Sequence, residues 1–346
     1  MSRVFLTGGS GLVGGALLTG LQEHGDDIVA LARSDAAAAA VSGRGAEVAR
    51  GDLLDEDAMA AAMHGCDLLY HVGGYNTLCP DDPAELFHAN VRGAEIAVRA
   101  AARAGVRRVV LTSSAAALGE ERGTVGNERS PHRGWYLSDY ERSKHEGEQA
   151  ALAAGRLHGV EVVSVNPSSV QGPGRAGGTG KIMIAYLNGR LRAFVDTNIS
   201  LVDIRDCTEG HLLAAERGIP GERYVISGAT LTAREALEIV AGMTGARERP
   251  RFLPPPVASA AAALAERGFR VARRSPPVCR AMVRTLLHGH RYDGSRAERE
   301  LGLRYTPVRD TFARTIEWAI ADGRVKRPLP AWPPADESWR DGAGTK

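Results

Sequence analysis

The chain has 346 residues, 44% of them hydrophobic and 24% charged, which is typical of a globular protein with about two domains and excludes a wholly disordered chain. Because Lys+Arg 43 nearly balance Asp+Glu 41, no global basic field favours nucleic acid, and no apolar run reaches the ~18 residues of a membrane span. Four cysteines without C-x-x-C spacing are too few for a disulfide framework, so we expect a cytoplasmic protein.

Short apolar runs alternate with helical stretches over the first 170 residues. Strands that are apolar on both faces and separated by helices predict βαβ units, in which a parallel sheet is covered on both sides. The helices are expected to start near Gly11, Asp55, Pro83 and Ser138. The predicted strands are Arg3–Leu6, Asp27–Leu31, Ala46–Ala49, Leu68–Val72, Arg107–Thr112 and Val160–Asn166.

The pattern loosens after Pro167, where a glycine-rich loop is followed by fewer and shorter strands. We expect a doubly wound α/β domain from residues 1–170, with about 200–230 returning to it. Residues 171–199 and 231–325 are predicted to form a smaller, mixed α/β domain that binds the substrate. The Gly-, Pro- and charge-rich residues 327–346 are expected to be a tail.

A glycine-rich turn follows the first predicted strand and opens the first predicted helix. Two spacings fit it, because Gly9, Gly11 and Gly14 match G-x-G-x-x-G while Gly8, Gly11 and Gly14 match G-x-x-G-x-x-G. Such a turn exposes backbone N–H groups to a pyrophosphate at the positive end of a helix. The sequence therefore predicts a Rossmann-type dinucleotide site. The contacting residues are expected to be Thr7, Gly8, Gly9, Ser10, Gly11, Leu12, Val13 and Gly14.

The end of the second strand indicates which dinucleotide binds. A carboxylate there binds the ribose 2′-hydroxyl of NAD, whereas an arginine accommodates the 2′-phosphate of NADP. Arg33 and Ser34 stand at this position, so NADP is favoured and NAD stays the alternative. Further contacts are expected at the ends of the third and fourth strands, where ligands of parallel sheets bind. They are Asp52, Leu53, Val72, Gly73 and Gly74.

Tyr140 and Lys144 lie four residues apart on a predicted helix and therefore on one face of it. A neighbouring ammonium group lowers the pKa of a phenol towards the range of a general acid or base. Only four lysines occur in the chain, so a chance match to this spacing is uncommon. Ser114, two residues beyond Thr112 at the end of a predicted strand, is expected to donate a hydrogen bond to the reacting oxygen. Ser113 and Thr112 are the alternatives for this role.

These motifs, together with Asn166-Pro167-Ser168, resemble those of the extended short-chain dehydrogenases/reductases in the NAD-dependent epimerase/dehydratase superfamily. The resemblance covers residues 3–320 and is greatest to the dihydroflavonol-reductase-like branch, which includes proteins labelled hopanoid-associated sugar epimerases. The stretches most similar to that branch are His71-Val72, 90–93, 109–114, 188–190 and 300–302.

The resemblance implies that Tyr140 is the proton donor, Lys144 its partner and Ser114 the oxyanion ligand. It also implies that Thr112, Tyr140, Lys144, Pro167, Ser168 and Ser169 contact the cofactor, and that the protein is a homodimer. The spacing of Ser114 and Gly119 matches the family and favours Ser114 over Ser113. Departures from the family pattern include Gly73-Gly74 in place of Ala-Ala.

The leading hypothesis is an NADP-dependent reductase of a small ketone or aldehyde, or the reverse alcohol dehydrogenase. The alternative is an NAD-dependent nucleotide-sugar epimerase or dehydratase, against which Arg33 argues, since those enzymes typically carry aspartate at its position. A non-catalytic dinucleotide sensor is a third hypothesis, but such members tend to lose the tyrosine and lysine. We expect no metal ion, because His288-x-His290 lacks a third ligand pattern.

Overall fold

A computed structural model describes residues 2–271 and 278–333, with the side chains of Arg270 and Val271 left out. The chain divides into two compact units. Unit one contains residues 1–168, 205–226 and 292–304, and unit two contains residues 169–204, 227–291 and 305–346. The return of residues 292–304 to unit one was not anticipated from the sequence. Most of the predicted tail lies outside the described residues.

Unit one is built around a seven-stranded parallel sheet with the strand order β10-β6-β5-β4-β1-β2-β3. The order reverses between β1 and β4, and in doubly wound sheets ligands bind at such a point, beyond the carboxyl ends of the strands. The strands are β1 (Arg3–Thr7), β2 (Asp27–Ala32), β3 (Glu47–Arg50), β4 (Leu68–His71), β5 (Arg108–Thr112), β6 (Glu161–Pro167) and β10 (Arg223–Ile226).

Helices pack on both faces of this sheet, as the apolar strands predict, and the predicted α/β fold is confirmed. A 3₁₀ turn (Ala115–Leu118) follows β5, and α4 and α5 are joined by a π-helical turn (His88–Arg92). The helices are α1 (Leu12–Glu23), α2 (Asp35–Ser42), α3 (Glu56–Ala62), α4 (Pro83–Phe87), α5 (Gly93–Ala104), α6 (Asp139–His158) and α8 (Ile204–Arg217).

The 20-residue helix α6 begins and ends at residues suited to those places. The Ser138 hydroxyl accepts a hydrogen bond from the Glu141 backbone N–H, which caps the helix. Gly159 ends it at φ +70°, a left-handed conformation that glycine adopts without a Cβ penalty. Gly147 lies against the backbone of Asn90, where any Cβ would overlap the Asn90 carbonyl oxygen. Glycine at this position therefore lets α6 approach the π-helical turn closely.

Unit two is a smaller, mixed α/β unit. It has a three-stranded sheet in the order β11-β9-β7 and a two-stranded sheet of β8 and β12. The strands β7, β8, β11 and β12 were missed by the sequence analysis, because runs of two to four residues carry little periodicity. The elements are β7 (Ser169–Gln171), α7 (Thr179–Leu187), β8 (Ala193–Phe194), β9 (Asn198–Asp203), β11 (Ala229–Thr232), α9 (Ala233–Thr244), β12 (Arg251–Phe252), α10 (Pro255–Val271), α11 (Arg280–His288) and α12 (Val308–Ala321).

The core of unit two is formed by α7, α9 and α12 around residues such as Tyr186, Met243 and Phe312. Asp203 on β9 is fully buried and pairs with Arg314 of α12, which compensates the charge of its carboxylate. Among the helices of the described residues, none has the length and the apolar character needed to cross a membrane.

Candidate active site

The glycine turn between β1 and α1 shows which of the two glycine spacings the backbone requires. Gly8 has φ +74°, and a Cβ there would lie 2.7 Å from the Gly73 nitrogen. A Cβ on Gly14 would overlap the Gly8 carbonyl oxygen, whereas Gly11 is exposed and meets only that oxygen, at 3.3 Å. The tight backbone positions are therefore Gly8 and Gly14. Gly9 packs near Val41 and Leu6 without a positive φ.

Helix α1 begins at this turn without a side-chain cap. Gly11 is the N-cap, with extended dihedral angles, and its N–H donates to the Gly8 carbonyl oxygen at 2.9 Å. Because a glycine N-cap has no side chain that could accept from the first N–H groups of α1, these groups can bind an anion. Ser10 is exposed beside the turn, and Leu12 and Val13 are partly exposed. These residues fit the pyrophosphate of a dinucleotide.

Thr7 joins the ends of β1 and β4. Its hydroxyl accepts a hydrogen bond from the Gly73 N–H at 2.9 Å and lies 3.1 Å from Nδ1 of His71. A Cβ on Gly73 would lie 3.0 Å from the Thr7 hydroxyl and 3.1 Å from two methyl groups of Leu53. The predicted residues Thr7, Leu53, Val72 and Gly73 therefore meet at one edge of the sheet, beside the glycine turn.

Asn90, on the π-helical turn, connects the loop after β4 to helix α6. Its Oδ1 accepts from the Tyr75 N–H at 2.8 Å, and its Nδ2 donates to the Tyr75 carbonyl oxygen and to the Ser143 hydroxyl, both at 2.9 Å. A Cβ on Gly74 would lie 2.7 Å from Asn90 Oδ1, which explains why this position has glycine in place of alanine. Asn90 thus fixes Gly74 beside Lys144, whose Nζ is 3.7 Å from the same Cβ position.

Lys144 and Tyr140 lie one turn apart on α6, and both are partly buried. The Lys144 ammonium donates to the Thr112 carbonyl oxygen at the end of β5, at 3.0 Å. Burial lowers the pKa of Lys144 to about 8, and the Glu148 carboxylate opposes this shift. Tyr140 is held through its backbone, because the Ser143 hydroxyl donates to its carbonyl oxygen.

His211 on α8 orients the side chain of Thr112. Its Nδ1 lies 2.6 Å from the Cys207 carbonyl oxygen, which can only accept, so Nδ1 carries the proton. Nε2 therefore accepts from the Thr112 hydroxyl, at 2.8 Å. His211 is fully buried, and burial lowers its pKa to about 4. The sequence analysis missed His211, because a histidine inside an amphipathic helix carries no local signal of its partner.

Ser114 is the N-cap of the 3₁₀ turn that follows β5. Its hydroxyl accepts from the Ala116 N–H at 3.2 Å, and its proton stays available to a ligand oxygen. Its carbonyl oxygen accepts from Nδ2 of Asn166 at 3.1 Å. Ser113, the alternative, is buried, and its hydroxyl has no hydrogen-bond partner among the residues that the structure describes. Ser114 is the more accessible of the two serines.

The predicted residues at the end of β2 lie at the surface of unit one. The Arg33 side chain is 83% exposed, and one guanidinium nitrogen is 3.4 Å from Asp52. Ser34 caps helix α2, where its hydroxyl accepts from the Ala37 N–H. An exposed arginine beside a helix N-terminus suits a phosphate group. The contact with Asp52 was not predicted and partly neutralises that charge.

The last three predicted cofactor contacts are divided between the two units. Pro167 and Ser168 belong to unit one, at the end of β6, and the Ser168 N–H donates to the Ile226 carbonyl oxygen. Ser169 belongs to unit two, where its hydroxyl lies 3.0 Å from the hydroxyl of Thr179 and accepts from Gln171 Nε2.

Two of the buried histidines, His71 and His211, predict acid sensitivity of the fold. Burial lowers the pKa of His71 to about 3, with Lys144 adding to the effect, and that of His211 to about 4. The unfolded chain takes up protons near pH 6.5 while these groups stay neutral in the fold, so acid favours unfolding. Below pH 6.5 and down to about pH 4, each histidine should lower the free energy of unfolding by about 1.4 kcal/mol per pH unit. Denaturant titrations at pH 7 and pH 5 measure this.

In His211→Gln, which lacks one of these groups, the fall between the two pH values should be smaller by roughly 2 kcal/mol. An equal fall in both proteins would show that His211 is not neutral in the fold. For each protein, the free energy of unfolding at pH 5 is subtracted from that at pH 7, and the two results are compared. A loss of packing in the variant lowers both of its values equally and therefore cancels.

Comparisons with known proteins agree with this geometry. The family model "NAD dependent epimerase/dehydratase family" matches residues 4–227. "Sterol demethylase protein B" of Methylococcus capsulatus is 36% identical over 332 residues, covering 92% of this chain and 99% of that protein. A "Putative dihydroflavonol 4-reductase" of Synechocystis is 32% identical over 331 residues, covering 93% of this chain and 96% of that protein. The crystal structure of gox2253 has a TM-score of 0.81 and 30% identity, and the match covers 94% of this chain and 99% of gox2253.

The family match covers well over half of the chain, and the two relatives match nearly its whole length. The glycine turn, with its uncapped helix and its tight Gly8 and Gly14, fits the dinucleotide that the family uses. The chain therefore belongs to the NAD-dependent epimerase/dehydratase family and is an oxidoreductase of the extended short-chain dehydrogenase/reductase type that uses a nicotinamide cofactor.

Proposed function

We propose that the protein is an NADP-dependent reductase of a ketone or aldehyde group on a small molecule, with unit one binding the cofactor and unit two the substrate. The observation that carries this proposal is the anchoring of Lys144. Its ammonium is held at the end of β5, two residues before Ser114 and one helical turn from Tyr140. Proton transfer to a carbonyl oxygen needs a proton donor and a hydrogen-bond donor for the developing charge, and Tyr140 and Ser114 can fill these two roles beside Lys144.

A nicotinamide cofactor held by the glycine turn would supply the hydride for the carbonyl carbon. Tyr140 donates a proton to the carbonyl oxygen, and the Ser114 hydroxyl donates a hydrogen bond to the same oxygen as negative charge develops there. The ammonium of Lys144 stabilises the phenolate that Tyr140 becomes, and it can also donate to ribose hydroxyls. In the reverse direction Tyr140 removes the proton of an alcohol.

The preference for NADP rests on Arg33 and Ser34. Arg33 provides a positive charge at the end of β2, and Ser34 begins helix α2, whose first N–H groups favour an anion. A hydrogen bond between an arginine and a charged oxygen contributes about 1.5–3 kcal/mol. This is enough to select NADP over NAD by roughly 10–150-fold.

Arg33→Asp should therefore abolish the preference for NADPH. We expect kcat/KM for NADPH to fall by about 100-fold, since a carboxylate both loses the cation and repels the 2′-phosphate, while the value for NADH changes little. Both kcat/KM values are measured with one carbonyl substrate, by the decrease in absorbance as NADPH or NADH is oxidised. The matched control is Arg122→Asp, the same charge change at an exposed position of another loop. Equal losses with NADPH and NADH would contradict a contact with the 2′-phosphate.

The proposed activity itself is tested with a panel of ketones and aldehydes, each offered with NADPH and then with NADH. Several relatives have reductase names, including the dihydroflavonol reductase of Synechocystis, which supports this choice of substrates. Oxidation of NADPH that depends on one class of carbonyl compound supports the proposal. The absence of turnover with the whole panel, together with tight cofactor binding, would contradict it.

An epimerase or dehydratase of nucleotide sugars is the second candidate, favoured by the family to which the chain belongs. It uses the same tyrosine and lysine, but typically keeps NAD bound through the reaction. Denaturing the purified protein and identifying the released nucleotide distinguishes the two: stoichiometric NAD favours the epimerase. A homodimer and a cytoplasmic location remain predictions, which sedimentation and cell fractionation test.

A further inference from the structure

Glu148 is a buried carboxylate on the face of α6 that carries Lys144, one helical turn farther along. Its side chain is 0% exposed, and it forms an ion pair of 2.7 Å with Arg223 of β10. A charge buried in this way costs several kcal/mol unless ion pairs and hydrogen bonds compensate it. Oε2 of Glu148 accepts two hydrogen bonds, whereas Oε1 is paired with the charge of Arg223 without an aligned hydrogen bond. A carboxylate buried at this cost points to a use beyond the stability of the fold.

The first use concerns Ser114. Oε2 of Glu148 accepts hydrogen bonds from Nδ2 of Asn166 and from the hydroxyl of Ser164, the latter at 3.0 Å. Because a carboxylate only accepts, it fixes which end of the Asn166 amide faces it. The same Nδ2 donates to the Ser114 carbonyl oxygen at 3.1 Å. A continuous chain of hydrogen bonds therefore leads from Glu148 through Asn166 to the backbone of Ser114.

The second use concerns the charge of Lys144. Burial disfavours its ammonium form, and Glu148 opposes that effect. The charge of Lys144 in turn helps to lower the pKa of His71 of β4, which burial keeps neutral, and Tyr140 lies one helical turn before the lysine. Arg223 forms an ion pair with Glu148. His211 of α8 accepts from the Thr112 hydroxyl, and Lys144 donates to the carbonyl oxygen of the same threonine. Glu148 is thus the carboxylate whose charge favours the ammonium form of Lys144.

We propose that Glu148 is a positioning residue that serves two catalytic groups at once, holding Ser114 in place through Asn166 and keeping Lys144 protonated. This assignment rests on the proposed reductase mechanism for its kinetic consequences, but its effect on Lys144 is independent of turnover. The charge-neutral variant Glu148→Gln keeps the size of the side chain, and it removes the negative charge.

The decisive experiment is competitive labelling of amines by acetic anhydride over a pH series, read by mass spectrometry of peptides. The chain has only four lysines, so the peptide that contains Lys144 can be measured separately from the others. The exposed Lys181 serves as an internal reference. In Glu148→Gln we expect the pH midpoint of Lys144 labelling to fall by about one unit. A neighbouring opposite charge shifts a pKa by about 1–3 units, and this variant removes it. The midpoint for Lys181 should not move.

The matched control is Glu146→Gln, which removes one negative charge from α6 two residues after Lys144. Glu146 forms its ion pair with Arg142, on another face of the helix. This variant should leave the Lys144 midpoint unchanged. If Glu148→Gln does not fold, because Arg223 then lacks its partner, the double variant Glu148→Gln/Arg223→Met removes both buried charges and is measured in its place. An unchanged Lys144 midpoint in the folded variant would overturn the proposal.

Kinetics test the connection to Ser114. With an identified carbonyl substrate, Glu148→Gln should lower kcat by about 10–100-fold while the Kd of NADPH stays within twofold, because the cofactor contacts are not altered. A change in Kd alone, or no change in kcat, would overturn this part. If no carbonyl compound is reduced by the wild-type protein but the Lys144 midpoint still shifts, the proposed function fails and the assignment of Glu148 to the lysine stands.

Discussion

Replacing Tyr140 by phenylalanine is expected to lower kcat for carbonyl reduction by about 1,000-fold, which corresponds to about 4 kcal/mol in the activation barrier. The variant loses only the hydroxyl that we propose as the proton donor. The remaining groups, the Ser114 hydroxyl and the Lys144 ammonium, still bind the carbonyl oxygen and the ribose, so a residual rate should remain. Steady-state turnover of NADPH, followed by its absorbance, measures the loss.

The affinity for NADPH should not change, and titration of the intrinsic fluorescence measures it separately. The matched control is Tyr136→Phe, which removes a hydroxyl from a partly exposed tyrosine four residues earlier. That variant should keep wild-type kcat within a factor of about three. If Tyr140→Phe keeps its activity, another group supplies the proton and the proposed mechanism is wrong.

The second large effect is expected from Gly14→Ala in helix α1. Alanine is normally preferred to glycine inside a helix by about 0.5–1 kcal/mol, so propensity alone predicts a gain in stability. Here the added Cβ would overlap the Gly8 carbonyl oxygen, which is backbone and cannot rotate away. The turn must therefore open, at a cost of about 1–3 kcal/mol, and the affinity for NADPH should fall by at least tenfold.

Thermal unfolding with and without NADPH checks this expectation. The matched control is Gly242→Ala, a substitution at an exposed glycine of helix α9 where nothing lies within 4 Å of the new Cβ. It should stabilise the protein slightly and leave NADPH binding unchanged. A gain in stability in both variants would mean that the glycine turn tolerates a side chain and is not the tight turn described above.

The glycine turn also shows how far the sequence alone could reach. The strand, the turn and the helix were all predictable, because short apolar strands and glycine runs are local signals. The choice between the two glycine spacings was not, since it depends on the positive φ of Gly8 and on its distance from Gly73, which is 65 residues away in the chain. Spacing in a sequence does not report a contact between distant backbones.

The residues that surround the proposed catalytic groups were missed for a similar reason. Asn90, His211 and Glu148 each act through a partner at least 15 residues away in the sequence. Buried polar residues of this kind appear in a sequence as irregular polar positions in helices that are otherwise amphipathic. A buried polar atom needs a hydrogen-bond partner, but the sequence does not show which residue supplies it. Tyr140 and Lys144 were found because their spacing is set by a single helix.

The exposure of Arg33 has a consequence for the proposed selection of NADPH over NADH. Its guanidinium group is in water and close to Asp52, so its attraction for a phosphate is screened by dissolved ions, with a Debye length of about 8 Å at physiological ionic strength. Selectivity for NADPH should thus decrease as potassium chloride is added, whereas proton transfer by the partly buried Tyr140 should be affected much less. Cofactor choice in this protein would then vary with the salt content of its surroundings.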